Sequence, residues 1–324
     1  MTEINWGIIG CGDVTEVKSG PAFNKIDYSA LVAVMRRDAA KAADYARRHH
    51  VPAWYSDADA LINDPNVNAI YVATPPNSHA DYAIRAMRAG KPVYVEKPMA
   101  LNFAECNAIN RVSRETGVPL FVAYYRRAMP YFLKVKDLVE SGAIGQLRAV
   151  SVQVHWLPPS AHADDRQPGW RVSPEVSGGG YFHDLAAHQF DFLEYALGPI
   201  DAATGMTRNQ SGLYTADDLV VANFSFASGA LGTGSWCFTA NPAQRSEQTQ
   251  LIGSAGTLTF SFFGGNIIRL ETAAGTEVIT VSHPEHVQQP LIAQIVAELR
   301  GEGYSASTGE TGARASQIMD WITG

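Results

Sequence analysis

Residues 4–9, 31–35, 69–73, 93–95 and 120–123 are short apolar runs rich in β-branched side chains, too short for typical helices. They predict buried strands. Amphipathic stretches lie between them. Asp38 is placed to cap a helix running toward His49, Ser56 and Asp59 have capping-box spacing, and Gly90 and Gly117 stand where helix C-termini favour positive φ. Strand and helix in alternation imply parallel strands joined by right-handed crossovers, a doubly wound sheet that binds ligands at the carboxyl ends of its strands.

After about residue 124 the period changes. A helix is expected over 130–141, ending near Gly142. Then Val150, Val152, Val154 and Trp156 alternate with Ser151, Gln153 and His155, the period of a half-buried strand. Strand-like runs follow at 219–226, 230–238, 248–252, 257–262, 267–271 and 277–281, with glycine-bearing turns near Gly229, Gly253 and Gly264. Such short turns predict an antiparallel sheet. Two helical stretches, 290–300 and 311–322, close the chain. The fold class expected is α/β, with a Rossmann-type domain over 1–123 and a second α/β domain over 124–324.

Composition narrows the function classes. At 324 residues, 46% hydrophobic and 18% charged, the chain is long enough for two cores and too apolar for disorder. A net charge of -7 gives no pull toward nucleic acid or anionic lipid. No apolar run is long enough to span a bilayer, and the acidic start does not resemble a secretory signal. Cys11, Cys106 and Cys237 are scattered, without the spacing of a disulfide framework or a metal cluster. These features lead us to expect a cytoplasmic protein with no nucleic-acid or membrane partner.

Directly after the first strand stands Gly10-Cys11-Gly12-Asp13-Val14-Thr15. Glycines at the first two fingerprint positions allow a tight turn and the approach of a pyrophosphate to the backbone, although Thr15 replaces the usual third small residue. At the end of the second strand, where an NAD site usually places an acid against the ribose, stand Arg36 and Arg37. A guanidinium pairs well with a 2′-phosphate, so NADP(H) is the expected cofactor. If Asp38 instead took the ribose role, the cofactor would be NAD(H).

Further motifs are Thr74-Pro75 with His79, Glu96-Lys97-Pro98, Arg126-Arg127, Trp170-Arg171, and Gly178-Gly179-Gly180 followed by Asp184 and His188. In their order and spacing across the whole chain they resemble the glucose-fructose oxidoreductase, inositol dehydrogenase and rhizopine catabolism family (Gfo/Idh/MocA). The resemblance implies a Rossmann domain joined to a domain with an open, mainly antiparallel sheet that often forms an oligomer interface, hence a homodimer or homotetramer. It also implies that Lys97, Asp184 and His188 face the nicotinamide and a polyhydroxylated small-molecule substrate. The chain departs from the family's common D-x-G-x-H pattern at Leu185-Ala186-Ala187.

Beside that resemblance, the residues have a chemistry of their own. Oxidising an alcohol moves a proton off oxygen, and histidine does this near neutrality. Asp184 and His188 are one helical turn apart, and Lys97 lies at a strand end where its ammonium could polarise a substrate oxygen. The sequence leaves open which of Lys97 and His188 is the acid or base. Cofactor contacts are expected from Gly10, Gly12, Asp13, Val14, Arg36, Arg37, Thr74, Pro75, His79, Glu96 and Lys97. Substrate contacts are expected from Lys97, Arg127, Trp170, Arg171, Asp184 and His188. Asn77 or Ser78 could equally cap a helix, and the arginines could be structural. His183, Asp184 and His188 offer no convincing third metal ligand, so no metal is expected. The expected function is hydride transfer between NADP(H) and a sugar, cyclitol or related hydroxycarbonyl. The alternatives are NAD(H), a non-sugar diol, or a non-catalytic dinucleotide-binding regulator.

Overall fold

Strands β1 (Ile4–Ile9), β2 (Ser29–Met35), β3 (Ala53–Tyr55), β4 (Ala69–Val72), β5 (Val93–Val95) and β6 (Leu120–Val122) form one parallel sheet in the order β3-β2-β1-β4-β5-β6. This computed structural model describes residues 1–156 and 169–324. Every residue of β4, β5 and β6 is buried, as expected for strands covered by helices on both faces. The strand order reverses between β1 and β4, which opens a crevice at their carboxyl ends.

The glycine turn after β1 leads into two short helices, α1 (Asp13–Val17) and α2 (Gly20–Phe23). Pro21 cannot donate to a continuing ladder, so the break falls there. Asp38 caps α3 (Ala39–Arg48) by accepting from the Lys41 amide at 3.1 Å. For α4 (Ala58–Ile62) the cap is Asp57, not Ser56, through the Asp59 amide at 3.0 Å. Helices α5 (His79–Arg88) and α6 (Phe103–Thr116) are followed by Gly90 and Gly117, both with positive φ.

The second sheet has eight strands. They are β7 (Leu147–His155), β8 (Ile200–Arg208), β9 (Leu219–Phe226), β10 (Leu231–Cys237), β11 (Ser246–Gly253), β12 (Gly256–Phe260), β13 (Ile267–Thr272) and β14 (Gly275–Thr280), in the order β14-β13-β12-β11-β7-β10-β9-β8. All pairs are antiparallel except β7 with β10. Helices α7 (Pro130–Glu140), α8 (Pro174–Ser177) and α9 (Gly180–Leu197) belong with this sheet, and α9 docks where the Trp236 indole donates to Gln189 Oε1 at 2.7 Å. Phe182, Phe190 and Phe224 pack around that contact. On the opposite face Leu231, Val221, Met206 and Ile252 are exposed beside Ser151, Gln153, Thr233 and Gln250, so the face is mixed in polarity.

The described residues divide into two units, Met1–Met129 with Pro284–Ala313, and Pro130–His283 with Arg314–Gly324. The single boundary expected at 123/124 therefore differs from the observed division, which crosses the chain three times. Helix α10 (Gln289–Arg300) and the start of α11 (Gly309–Thr323) return to the first unit because their flanks satisfy buried polar groups there. Ser307 donates to the Val122 carbonyl at 2.8 Å, Asn110 to that of Gly309 at 3.0 Å, and Gln288 to Glu96 at 2.6 Å.

Candidate active site

In the first unit the candidate cofactor residues collect at the carboxyl ends of β1, β2, β4 and β5. Gly10 has φ +91, and a Cβ there would lie 2.6 Å from Thr74 Cγ2 and 2.9 Å from the Thr74 amide. The turn therefore needs glycine for reasons internal to the fold. Gly12 is different. Its backbone is extended, and an added Cβ would meet nothing closer than 3.9 Å. Nothing in the protein requires glycine at this point, and the open space fits a dinucleotide passing close to the backbone.

Thr15, in the third fingerprint position, is fully buried and serves the turn by itself. Its hydroxyl donates to the Gly12 carbonyl at 2.8 Å and accepts from the Gly12 amide at 2.9 Å. Gly20 is a second point of close approach, where a Cβ would fall 2.1 Å from the Thr15 carbonyl oxygen and 2.4 Å from the Tyr45 hydroxyl. The first amides to join the helical ladder are those of Thr15 and Glu16, so the amides of Asp13 and Val14 stay outside it.

Arg36 donates to the Cys11 carbonyl at 3.3 Å, which lays its guanidinium along the glycine turn, and Arg37 is exposed beside it. The Asp38 carboxylate is taken up at the head of α3, where the Lys41 amide holds its carboxyl below the usual range.

The β4 and β5 ends are tied together by His79. Its ring is fully buried, with Nε2 at 2.7 Å from the Thr74 carbonyl and Nδ1 at 2.9 Å from that of Pro98. Burial pushes this imidazole's pKa down, against the pull of the two carbonyls. Ser78 precedes α5 without capping it. Its hydroxyl turns back to Thr74 Oγ1 at 2.8 Å and to the Pro75 carbonyl at 3.0 Å. The peptide between Lys97 and Pro98 is cis. The Glu96 side chain points into the unit, accepting from Tyr71, Gln288 and the Lys97 amide, so any cofactor contact by Glu96 would fall to its backbone. Arg127 is buried and donates to the Ala306 carbonyl at 3.0 Å, and Arg126 lies over the Tyr125 ring.

In the second unit, Asp184 and His188 sit on α9 one turn apart, on the same face, as their spacing predicted. The Arg171 Nε is 3.6 Å from Asp184 Oδ2, and its guanidinium stacks 4.5 Å from the centre of the Trp170 ring. Four of the expected substrate residues thus fall in one unit. His188 is buried and its ring lies 6.3 Å from that of Phe263. His183 packs on Gly179, whose Cβ would fall 2.0 Å from the ring, and burial pushes its imidazole down to about 4. Among the described residues, no three of His, Cys, Asp and Glu gather as a metal site. Nor is any helix among them long and apolar enough to cross a membrane.

Residues 4–124 match the family model of oxidoreductases with an NAD-binding Rossmann fold, and residues 132–259 match the Gfo/Idh/MocA C-terminal domain. The chain belongs to the Gfo/Idh/MocA oxidoreductases. Oxidoreductase P35 of Formosa agariphila is 39% identical over 100% of this chain and 99% of its own. A 1,5-anhydro-D-fructose reductase of Ensifer adhaerens is 26% identical over 95% and 91%, and a levoglucosan dehydrogenase of Pseudarthrobacter phenanthrenivorans 28% over 81% and 74%. A solved levoglucosan dehydrogenase, in complex with NADH and levoglucosan, superposes with TM-score 0.89 at 22% identity, covering 99% of this chain and 96% of that one. At that identity the likeness shows the shared fold. Gln288 went unread in the sequence because it is far from any motif, and Thr15 was read only as a departure from the fingerprint.

Proposed function

We propose that this oxidoreductase exchanges a hydride between NADP(H) and a CH–OH or carbonyl carbon of a sugar, cyclitol or related compound. The observation that carries the cofactor choice is the position of Arg36 along the glycine turn while Asp38 is committed to capping α3. When bound, the nicotinamide supplies or takes the hydride. The protein's part is to hold the substrate oxygen and move its proton. Lys97 and His188 share that task, the Lys97 ammonium suited to polarising the oxygen and either group to moving its proton, with Asp184 orienting the imidazole or binding a neighbouring hydroxyl. Trp170 and Arg171 line the sugar, and Gly10, Gly12, Asp13, Val14, Arg37, Thr74 and Pro75 serve the cofactor. Relatives named for levoglucosan and 1,5-anhydro-D-fructose support a carbohydrate-like substrate. The three cysteines form no disulfide, which suits the reducing cytoplasm in which we place the enzyme.

The test is direct titration with both cofactors, followed by turnover on a panel of sugars, anhydrosugars and inositols. A charge-assisted contact from Arg36 to the 2′-phosphate contributes about 1.5–3 kcal/mol, roughly tenfold to a hundredfold in affinity for NADP(H). Arg36→Asp should reverse the preference by adding a repulsion to the lost attraction. Equal or tighter binding of NAD(H) by the wild-type protein would refute the cofactor assignment and return Asp38 to the ribose.

A further inference from the structure

Behind the Glu96-Lys97 turn lies a buried chain of hydrogen bonds that uses a residue from far along the sequence. Tyr94 donates to Gln288 Oε1 at 2.8 Å, which fixes the orientation of that amide. Gln288 Nε2 then donates to Glu96 Oε1 at 2.6 Å, and Tyr71 donates to the same oxygen at 2.5 Å. The other carboxylate oxygen, Oε2, accepts the amide of Lys97 at 3.1 Å. Gln288, Tyr71 and Tyr94 are fully buried, and the two tyrosine rings stack at 4.9 Å. Gln288 is also held by its main chain, its amide donating to the Lys18 carbonyl while its own carbonyl accepts from Ile292 in the first turn of α10.

All the bonds in this chain run in one direction, toward Glu96, and Glu96 passes the constraint on to the backbone of Lys97. A core in need of stability alone would be served as well by apolar side chains of the same volume. A carboxylate with both oxygens in use fixes position and angle together. We propose that Gln288 and Tyr71 are positioning residues for Lys97, acting through the Glu96 carboxylate. The inference rests on the reading that Lys97 acts at the substrate oxygen.

Gln288→Met keeps the length and volume of the side chain and removes its hydrogen bonds to Glu96, Tyr94 and Tyr71. It should lower kcat by roughly tenfold to a hundredfold, the scale of a small misplacement of a reacting group. Cofactor Kd and substrate KM should stay within about twofold, because Gln288 is assigned no contact with either ligand. Gln288→Glu, which sets a second carboxylate against Glu96, should lose more than the methionine variant. Coupling to Lys97 is the decisive readout: in a Lys97→Ala background, Gln288→Met should cost nothing further in kcat. Additive losses in the double variant would overturn the role of Gln288 while leaving Lys97 in place. So would a kcat within twofold of wild type for Gln288→Met, or a kcat loss matched by equal rises in KM and Kd. Near-normal turnover by Lys97→Ala alone would instead defeat the functional reading, and this inference with it.

Discussion

Gly10 and Gly12 are two residues apart in one motif, yet the structure predicts opposite consequences for filling them. At Gly10 an alanine must adopt φ +91, and its Cβ would fall 2.6 Å from Thr74 Cγ2, 2.9 Å from the Thr74 amide and 3.0 Å from the Ala73 carbonyl carbon. Two of those atoms are backbone in the central strand's extension and cannot step aside. The left-handed conformation costs about 1–2 kcal/mol and the overpacking about 1–3 kcal/mol, together about 2–5 kcal/mol. Melting should fall by on the order of 10 °C. At Gly12 the backbone is already extended and the nearest atoms to an added Cβ are 3.9 Å away, so alanine should leave melting unchanged or slightly raised, by about 0.4–1 kcal/mol. The methyl group would then occupy the space left for the pyrophosphate, and cofactor affinity should drop at least about tenfold, or 1.4 kcal/mol. Thermal melts and cofactor titrations of both variants separate the two effects. A Gly12→Ala protein that binds cofactor within twofold of wild type would refute the argument that the ligand, not the fold, demands glycine there.

Lys97→Ala should cut turnover far more than cofactor affinity, and His188→Asn should remove the step near neutral pH from the kcat profile; an unchanged profile would place proton transfer elsewhere. His183 gives a stability signature. Its folded pKa of about 4 lies below the ordinary 6.5, so the buried neutral ring favours folding fully above pH 6.5, and that contribution is lost as pH falls toward 4. The loss is on the order of 3 kcal/mol, and denaturant melts should show a shallower acid slope for His183→Phe than for wild type. For assembly, we expect sedimentation to give a dimer or tetramer at micromolar concentration, with Leu231→Lys on the outward sheet face shifting it toward monomer; a wild-type monomer would end the idea.

Much of the parallel sheet was legible because its strands are buried on both faces and so appear as uninterrupted apolar runs bounded by glycine or proline. β1 and β5 fall where the runs placed them. β3 did not stand out because it has three residues at a sheet edge, with Trp54 exposed. β8 did not because its sequence, Ile-Asp-Ala-Ala-Thr-Gly-Met-Thr-Arg, lies at an edge of the second sheet and buries only Ile200. An edge strand needs little hydrophobicity, so periodicity has little to detect. The parallel pairing of β7 with β10 was equally hidden, since turn chemistry reports on neighbours in sequence and these strands are far apart. In the site, motif residues were found by type and spacing. What the sequence could not supply was direction: the Glu96 carboxylate points inward, and the His79 ring lies between two carbonyl oxygens, to one of which its neutral form donates.

These two side chains bear on how a strand-end site keeps its geometry. The carboxyl ends of β4 and β5 are loops, and loops alone hold a reacting group loosely. Here each loop is tied by a buried polar side chain whose partners are main-chain atoms or other buried groups. His79 is packed between the Thr74 and Pro98 carbonyls and donates to one of them, and Glu96 grips the Lys97 amide while Gln288 and Tyr71 grip Glu96. Lys97 thus stands between two fixed points, one on each side in sequence. The return of residues 284–313 to the first unit has a chemical consequence as well as a packing one, because it delivers Gln288, and with it one of the donors on which the Glu96 carboxylate depends. A truncation or insertion near residue 288 should therefore be felt at Lys97 even where the parallel sheet itself is untouched.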